Sequence, residues 1–234
     1  MLAIYKREMK AYFITPLGYV FLGVYLLVSG AVFCFTTLYQ MTSELTEYFA
    51  TMLFCFVILL PLLTMKLFSE EKKARTEQLL LTAPVSIFSV VFAKFLAAYT
   101  MFGGAALFSG VYFLCLSIFG NVQVGMLFGN LLAILLIGMA FIAVGIFVSS
   151  ITETQLSAAI LTIGILLGFM AISALSNYIP WAWLRFVLSS LSVFYRYQNF
   201  SHGIFDIAAL VFYLSITALF LILTMRSLDR RRWR

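Results

Sequence analysis

The sequence is short of charge. Asp, Glu, Lys and Arg make up 10% of its 234 residues, against 64% that are hydrophobic, whereas a soluble domain carries about 25% charged residues. A water-soluble fold of this size would have too little polar surface, so composition selects an integral helical membrane protein. Ionisable groups are missing from the middle of every long apolar run. Lys94, Asp206 and Arg226 are expected at span ends, within reach of water. Ion-coupled carriers need such groups inside the membrane, so direct use of an ion gradient is not expected. The one histidine, His202, adjoins Ser201, and neighbours in sequence do not make a catalytic pair. Cys34, Cys55 and Cys115 are scattered through apolar runs and read as small packing residues, giving neither zinc spacing nor a disulfide pattern. No G-x-x-x-x-G-K phosphate loop occurs, so ATP has no ordinary site in this chain. No catalytic, cofactor-binding or metal residue is therefore assigned. The net charge of +6 comes from basic residues at the edges of apolar runs. That is the signature of membrane topology, not of a nucleic-acid partner.

What is present is apolar length. Six runs reach the roughly 20 residues that a helix needs to cross a bilayer: Leu17–Tyr39, Phe49–Leu67, Phe95–Phe119, Met126–Ser149, Gln155–Ser176 and Asp206–Met225. The fold class expected is an all-α membrane protein in which residues 1–234 form a single transmembrane domain. No cleavage pattern precedes the first run, so a true span is expected there and not a leader. Thirteen of the fifteen basic residues fall on one side of this arrangement; Arg185 and Arg196 fall on the other. The positive-inside bias then puts both termini in the cytoplasm of a multi-pass cell-membrane protein.

Four segments outside the spans carry information. Residues 1–15 mix Ile4, Tyr5, Met9, Tyr12 and Phe13 with Lys6, Arg7, Glu8 and Lys10, the pattern of a helix lying in the inner interface before Pro16 turns the chain. Residues 69–86 place six charges within Glu70–Glu77, then Leu79-Leu80-Leu81 and Pro84. Charge that dense must lie in water, and Pro84 ends the helix, leaving an element shaped to press on a soluble partner. Thr152-x-x-Gln155 reads as a capping box that starts the fifth span. Residues 177–205 are rich in Trp, Tyr and Phe, which fits either two short helices folded against the outer face or an ordinary interfacial belt.

Glu70-Glu71-Lys72, then Thr76-Glu77-Gln78-Leu79-Leu80-Leu81-Thr82-Ala83-Pro84-Val85-Ser86 and Lys94, resemble the cytoplasmic signature of ABC-2 type permeases with the type V exporter fold. The opening Lys6-Arg7-Glu8 with Tyr12-Phe13-Ile14-Thr15-Pro16 is similar to that family's interfacial connecting helix. Phe200–Asp206 before the last span resembles the gliding-motility and copper-enzyme-maturation branch. Arg75 stands where such proteins often carry glycine. The resemblance implies an exporter permease that pairs with a second copy or a related permease and docks on two ABC ATPase subunits. ATP and Mg would bind those subunits, not this chain. Glu70, Glu71, Arg75, Thr76, Glu77, Leu79, Leu80 and Pro84 would form the coupling element. Membrane lipids surround such a complex, and an accessory extracytoplasmic subunit is left open, as is the substrate. The alternative is a membrane scaffold that binds a cytoplasmic partner without transport.

The fifth span holds the most small residues, including Ser157, Ala158, Ala159, Ala171 and the pair Gly164-x-x-x-Gly168. Small residues let helices approach closely in lipid. Such a pair packs either inside one chain or between two. Because the resembling permeases pair near their first and fifth spans, Gly164 and Gly168 are expected at the dimer axis with Thr162 close to the path.

Overall fold

The computed structural model describes residues 1–41, 45–74, 86–119, 124–176, 183, 192–201 and 206–232. Among these every regular element is helical, and six helices are long and apolar enough to cross a membrane. Leu27, Phe54, Leu107, Ile160 and Leu219 stand exposed around the bundle. Water would drive such a surface to aggregate, but hydrocarbon solvates it.

Helix α1 (Leu2–Ile14) ends at Thr15, whose extended backbone lets Pro16 occupy the first turn of α2 (Pro16–Phe33). Proline is well suited there, since its missing N–H has no intrahelical partner at that position. The first span closes in a wider π-helical turn, Cys34–Leu38, with Tyr39 N donating to Cys34 O at 2.8 Å. The second span is α3 (Thr46–Thr64), continued after a break at Met65 by α4 (Lys66–Lys73). The helix thus runs beyond Leu67 into the charged segment.

The third span departs from the sequence expectation. Its helix α5 (Ile87–Phe108) begins eight residues before Phe95, capped by Ser86, whose hydroxyl accepts from Ser89 N at 3.3 Å. Lys94 therefore lies inside the helix and is not its outer edge. After Ser109 the chain continues as α6 (Gly110–Phe119). The fourth span, α7 (Val124–Ile151), is central: it packs on α3, α4, α5, the fifth span α8 (Gln155–Ser176), the short α9 (Val193–Ser201) and the last span α10 (Ile207–Arg232). At Gly145 an added Cβ would collide with Thr64 of α3, and at Gly138 with the Phe102 ring of α5. These two glycines set how closely α3 and α5 approach the central helix.

Helix α8 spans the expected Gln155–Ser176, but its cap is not the expected one. Thr152 donates back to Val148 O at 3.0 Å, and it is Thr154 that accepts from Ser157 N at 3.2 Å. The cap is Thr154-x-x-Ser157, because Thr152 still belongs to the last turn of α7. Of residues 177–205, where either two short helices or an interfacial belt is expected, Trp183, Ser192 and the helix α9 lie among the described residues and the rest lies outside them.

Candidate functional site: the basic end of the bundle

Asn130 and Ser149 of α7 stand nineteen residues apart, about 28 Å of helix at 1.5 Å per residue, close to the thickness of a bilayer's hydrocarbon core. Near Asn130, the Tyr197 hydroxyl of α9 donates to Asn130 Oδ1 at 2.7 Å, and Arg196 lies 4.4 Å over the Phe212 ring. Near Ser149 lie α1, α4 and the start of α5. One end of the bundle is aromatic; the other is basic.

At the basic end three helices converge on Lys94, whose residue exposure is 1%. Its Nζ donates to Leu67 O at 2.7 Å, to Glu71 Oε1 at 2.9 Å and to Glu8 Oε1 at 3.2 Å, and lies 5.0 Å from the Phe68 ring centre. Arg7 closes the set from the solvent side, donating to Glu8 Oε1 at 2.9 Å and Glu71 Oε1 at 3.1 Å. The bond to Glu8 raises the Arg7 pKa above its ordinary value. Two cations thus face two carboxylates, and α1, α4 and α5 are joined through one ammonium. The expectation that Lys94 reaches water is overturned. A buried amine survives here because a carbonyl and two carboxylates replace its hydration.

A second fastening holds α4 from the other side. The first N–H groups of any helix lack intrahelical acceptors. In α4 two of them, Phe68 N and Ser69 N, donate to Ser149 Oγ of α7 at 3.1 and 3.2 Å, while Ser149 Oγ donates to Met65 O at 3.1 Å. Lys72 reaches Ile151 O at 3.1 Å and pairs with Glu153 at 3.6 Å, placing a cation at the negative end of the α7 dipole. Tyr12 of α1 donates to Leu63 O at 3.2 Å, and its burial pushes the phenol pKa up. Helix α4 is therefore fixed on both flanks at the point where the chain enters residues 75–85.

Of the residues assigned to coupling, Glu70 and Glu71 are described. Glu70 is part-exposed and pairs with Lys66 at 3.2 Å. Glu71 is turned inward onto Lys94 and Arg7, so it anchors the segment within the fold. Arg75, Thr76, Glu77, Leu79, Leu80 and Pro84 lie outside the described residues. In α8 the structure separates Thr162, expected close to the path, from Gly164 and Gly168, expected at the dimer axis. Thr162 faces the protomer's interior, buried and donating to Ala158 O at 2.7 Å, while Gly164 and Gly168 lie on the opposite, exposed face, where an added Cβ would meet nothing within 4 Å. Sequence reasoning missed Glu8, Lys94 and Ser149 as a unit. The one available signal was a lysine inside an apolar helix rather than at its end.

Inside the bundle a polar cluster joins the first three spans: Ser29 Oγ lies 2.7 Å from Tyr48 OH and 3.1 Å from Ser109 Oγ, and Ser109 donates to Tyr25 OH at 3.3 Å. All four are buried. Their hydroxyls satisfy one another, as groups in a membrane interior must.

The described residues thus give six apolar helices long enough to cross a membrane and an N-terminal helix fastened to α4 and α5 at the basic end of the bundle. The chain matches the ABC-2 family transporter protein over residues 24–233 and belongs to that family. It is a permease of the ABC transporter class, a transport component that is not itself catalytic, and its family implies an ABC ATPase partner and surrounding lipid. No curated protein matches it.

Proposed function

We propose that the chain is the permease subunit of an ATP-driven exporter, working as a dimer and driven through residues 69–86 by separate ATPase subunits that bind the ATP and Mg. The observation that carries this reading is the double fastening of α4. A force applied to residues 75–85 passes into a helix tied to α1 and α5 through Lys94 and to α7 through Ser149. Movement at the loop is thereby delivered to the central span. A scaffold that only holds a partner has no need for such a connection.

Leu79 and Leu80 supply the apolar contact with the ATPase, each worth about 1.5–3 kcal/mol when fully buried. The double substitution Leu79→Asp, Leu80→Asp releases the ATPase in co-purification while the permease still inserts, because the loop lies outside the bilayer. Normal ATPase association by that variant would show that coupling runs elsewhere. Permease-dependent stimulation of ATP hydrolysis separates a transporter from a scaffold.

A further inference from the structure

Between the ends of α7 and α10 lies a cleft of about 700 Å³, lined by Phe147, Ile151, Leu223, Arg226, Ser227, Arg230 and Arg231. Its lining divides by height. Ile207 to Met225 is a nineteen-residue stretch without Asp, Glu, Lys or Arg, about 28 Å of helix, enough to fill the hydrocarbon layer. Arg226 therefore falls where hydrocarbon ends, and Arg230 lies one turn further out, about 6 Å along the axis. Below them Leu223 and Phe147 form an apolar wall, with Phe147 packed on Phe220 at 5.7 Å between ring centres. Arg226 and Arg230 are both exposed and, four residues apart, share one helix face. Asp229 lies on α10 but does not line the cleft.

We infer that this cleft is a binding site for one anionic phospholipid, its phosphate held by Arg226 and Arg230 and an acyl chain lying along Leu223 and Phe147. Three features fit this occupant. Guanidinium groups present paired donors to phosphate oxygens. The charged and apolar linings meet at the depth where a phospholipid's own phosphate and chain meet. Among the described residues the lining includes three arginines and no carboxylate, so a zwitterionic headgroup gains less there than one with net negative charge. A soluble phosphate compound would leave the apolar wall in contact with nothing, so the lipid is the better match. The inference stands on the membrane-spanning fold alone and is independent of the coupling role proposed for residues 69–86.

The test is native mass spectrometry of the purified full-length protein with its partners, released from detergent containing equal amounts of phosphatidylglycerol and phosphatidylcholine. Wild type retains phosphatidylglycerol preferentially. At about fivefold per arginine, Arg226→Gln with Arg230→Gln weakens its retention roughly twenty-five-fold, while Arg226→Lys with Arg230→Lys keeps most of it. Lys6→Gln with Lys10→Gln, which removes exposed charge outside the cleft, leaves retention unchanged. Glycerol phosphate added in excess does not displace the lipid. Equal retention of both lipids, an equal loss in the Lys6/Lys10 variant, or displacement by glycerol phosphate overturns the inference. So does finding that the Arg226/Arg230 variant loses a protein subunit and not the lipid, which would make the cleft a protein interface.

Discussion

Lys94 illustrates how one side chain can decide whether three helices stay together. Removing a partner from a buried ion pair costs roughly 3–5 kcal/mol, because the remaining charge stays buried without compensation. Lys94→Met leaves Glu8 and Glu71 facing each other, so it lowers the thermal unfolding midpoint of the detergent-purified protein sharply. Lys66→Met removes only a part-exposed pair with Glu70, worth about 0–1 kcal/mol, and shifts it little. Glu8→Gln combined with Lys94→Met recovers part of the loss, and strict additivity of the two substitutions would show that the residues are not coupled. Ser149→Ala acts through the backbone, since it strips the acceptor from Phe68 N and Ser69 N at about 1–3 kcal/mol. Hydrogen exchange at those two amides accelerates in the variant while exchange in the body of α7 does not.

At the scale of elements, α7 and α8 are opposites. Two thirds of the fourth span's apolar window is buried within the protomer, 67%, against 22% of the fifth's. The buried stripe of α8 runs through Ala158, Thr162 and Leu166, each separated by one turn, with Ala159 beside it; the stripe carrying Gly164 and Gly168 faces outward. Close packing is the chief attraction between helices in lipid, so the outward stripe is where a second permease is expected to sit. With Cys34, Cys55 and Cys115 replaced, single cysteines at Gly164 or Gly168 give inter-subunit cross-links in native membranes, and a cysteine at Thr162 gives none. The opposite pattern would place the dimer axis elsewhere.

The spans themselves were readable because twenty apolar residues in a row admit few other structures. Their bounds were not readable at Lys94. A lysine beside an apolar run looks like the edge of that run, and what moves it inside is a pair of carboxylates 86 and 23 residues away in sequence. The cap at Thr154 was missed for a local reason: Thr152 and Thr154 carry the same side chain two residues apart, and only the exit of α7 decides between them. The inward turn of Glu71 was hidden for the reason that hid Lys94. Periodicity reports which face a residue is on, not which distant charge it will meet.

For the molecule as a whole, the two ends of α7 differ in kind, and the asymmetry sets orientation. The end near Ser149 gathers Arg7, Lys66, Lys72, Lys94, Arg226 and Arg230, while the end near Asn130 carries Tyr197 and Arg196. Basic residues are retained on the cytoplasmic side during insertion. A reporter active only outside the membrane, fused after Arg234, accordingly stays silent, and the same reporter fused within residues 120–123 is active. A signal after Arg234 would contradict a cytoplasmic C-terminus.

The order in which the Lys94 partners occur along the chain bears on how the protein is made. Glu8 and Glu71 both precede Lys94 in the sequence, so ribosomal synthesis delivers the two acceptors before the amine that needs them. When the third span leaves the translocation machinery, the groups that neutralise its lysine are already waiting at the same membrane surface. A chain shortened to begin after Ile14 lacks Glu8 at that moment. Its expected defect is poor integration of the third span and rapid degradation of the nascent product, visible in pulse-labelled membranes before any assembly with other subunits begins.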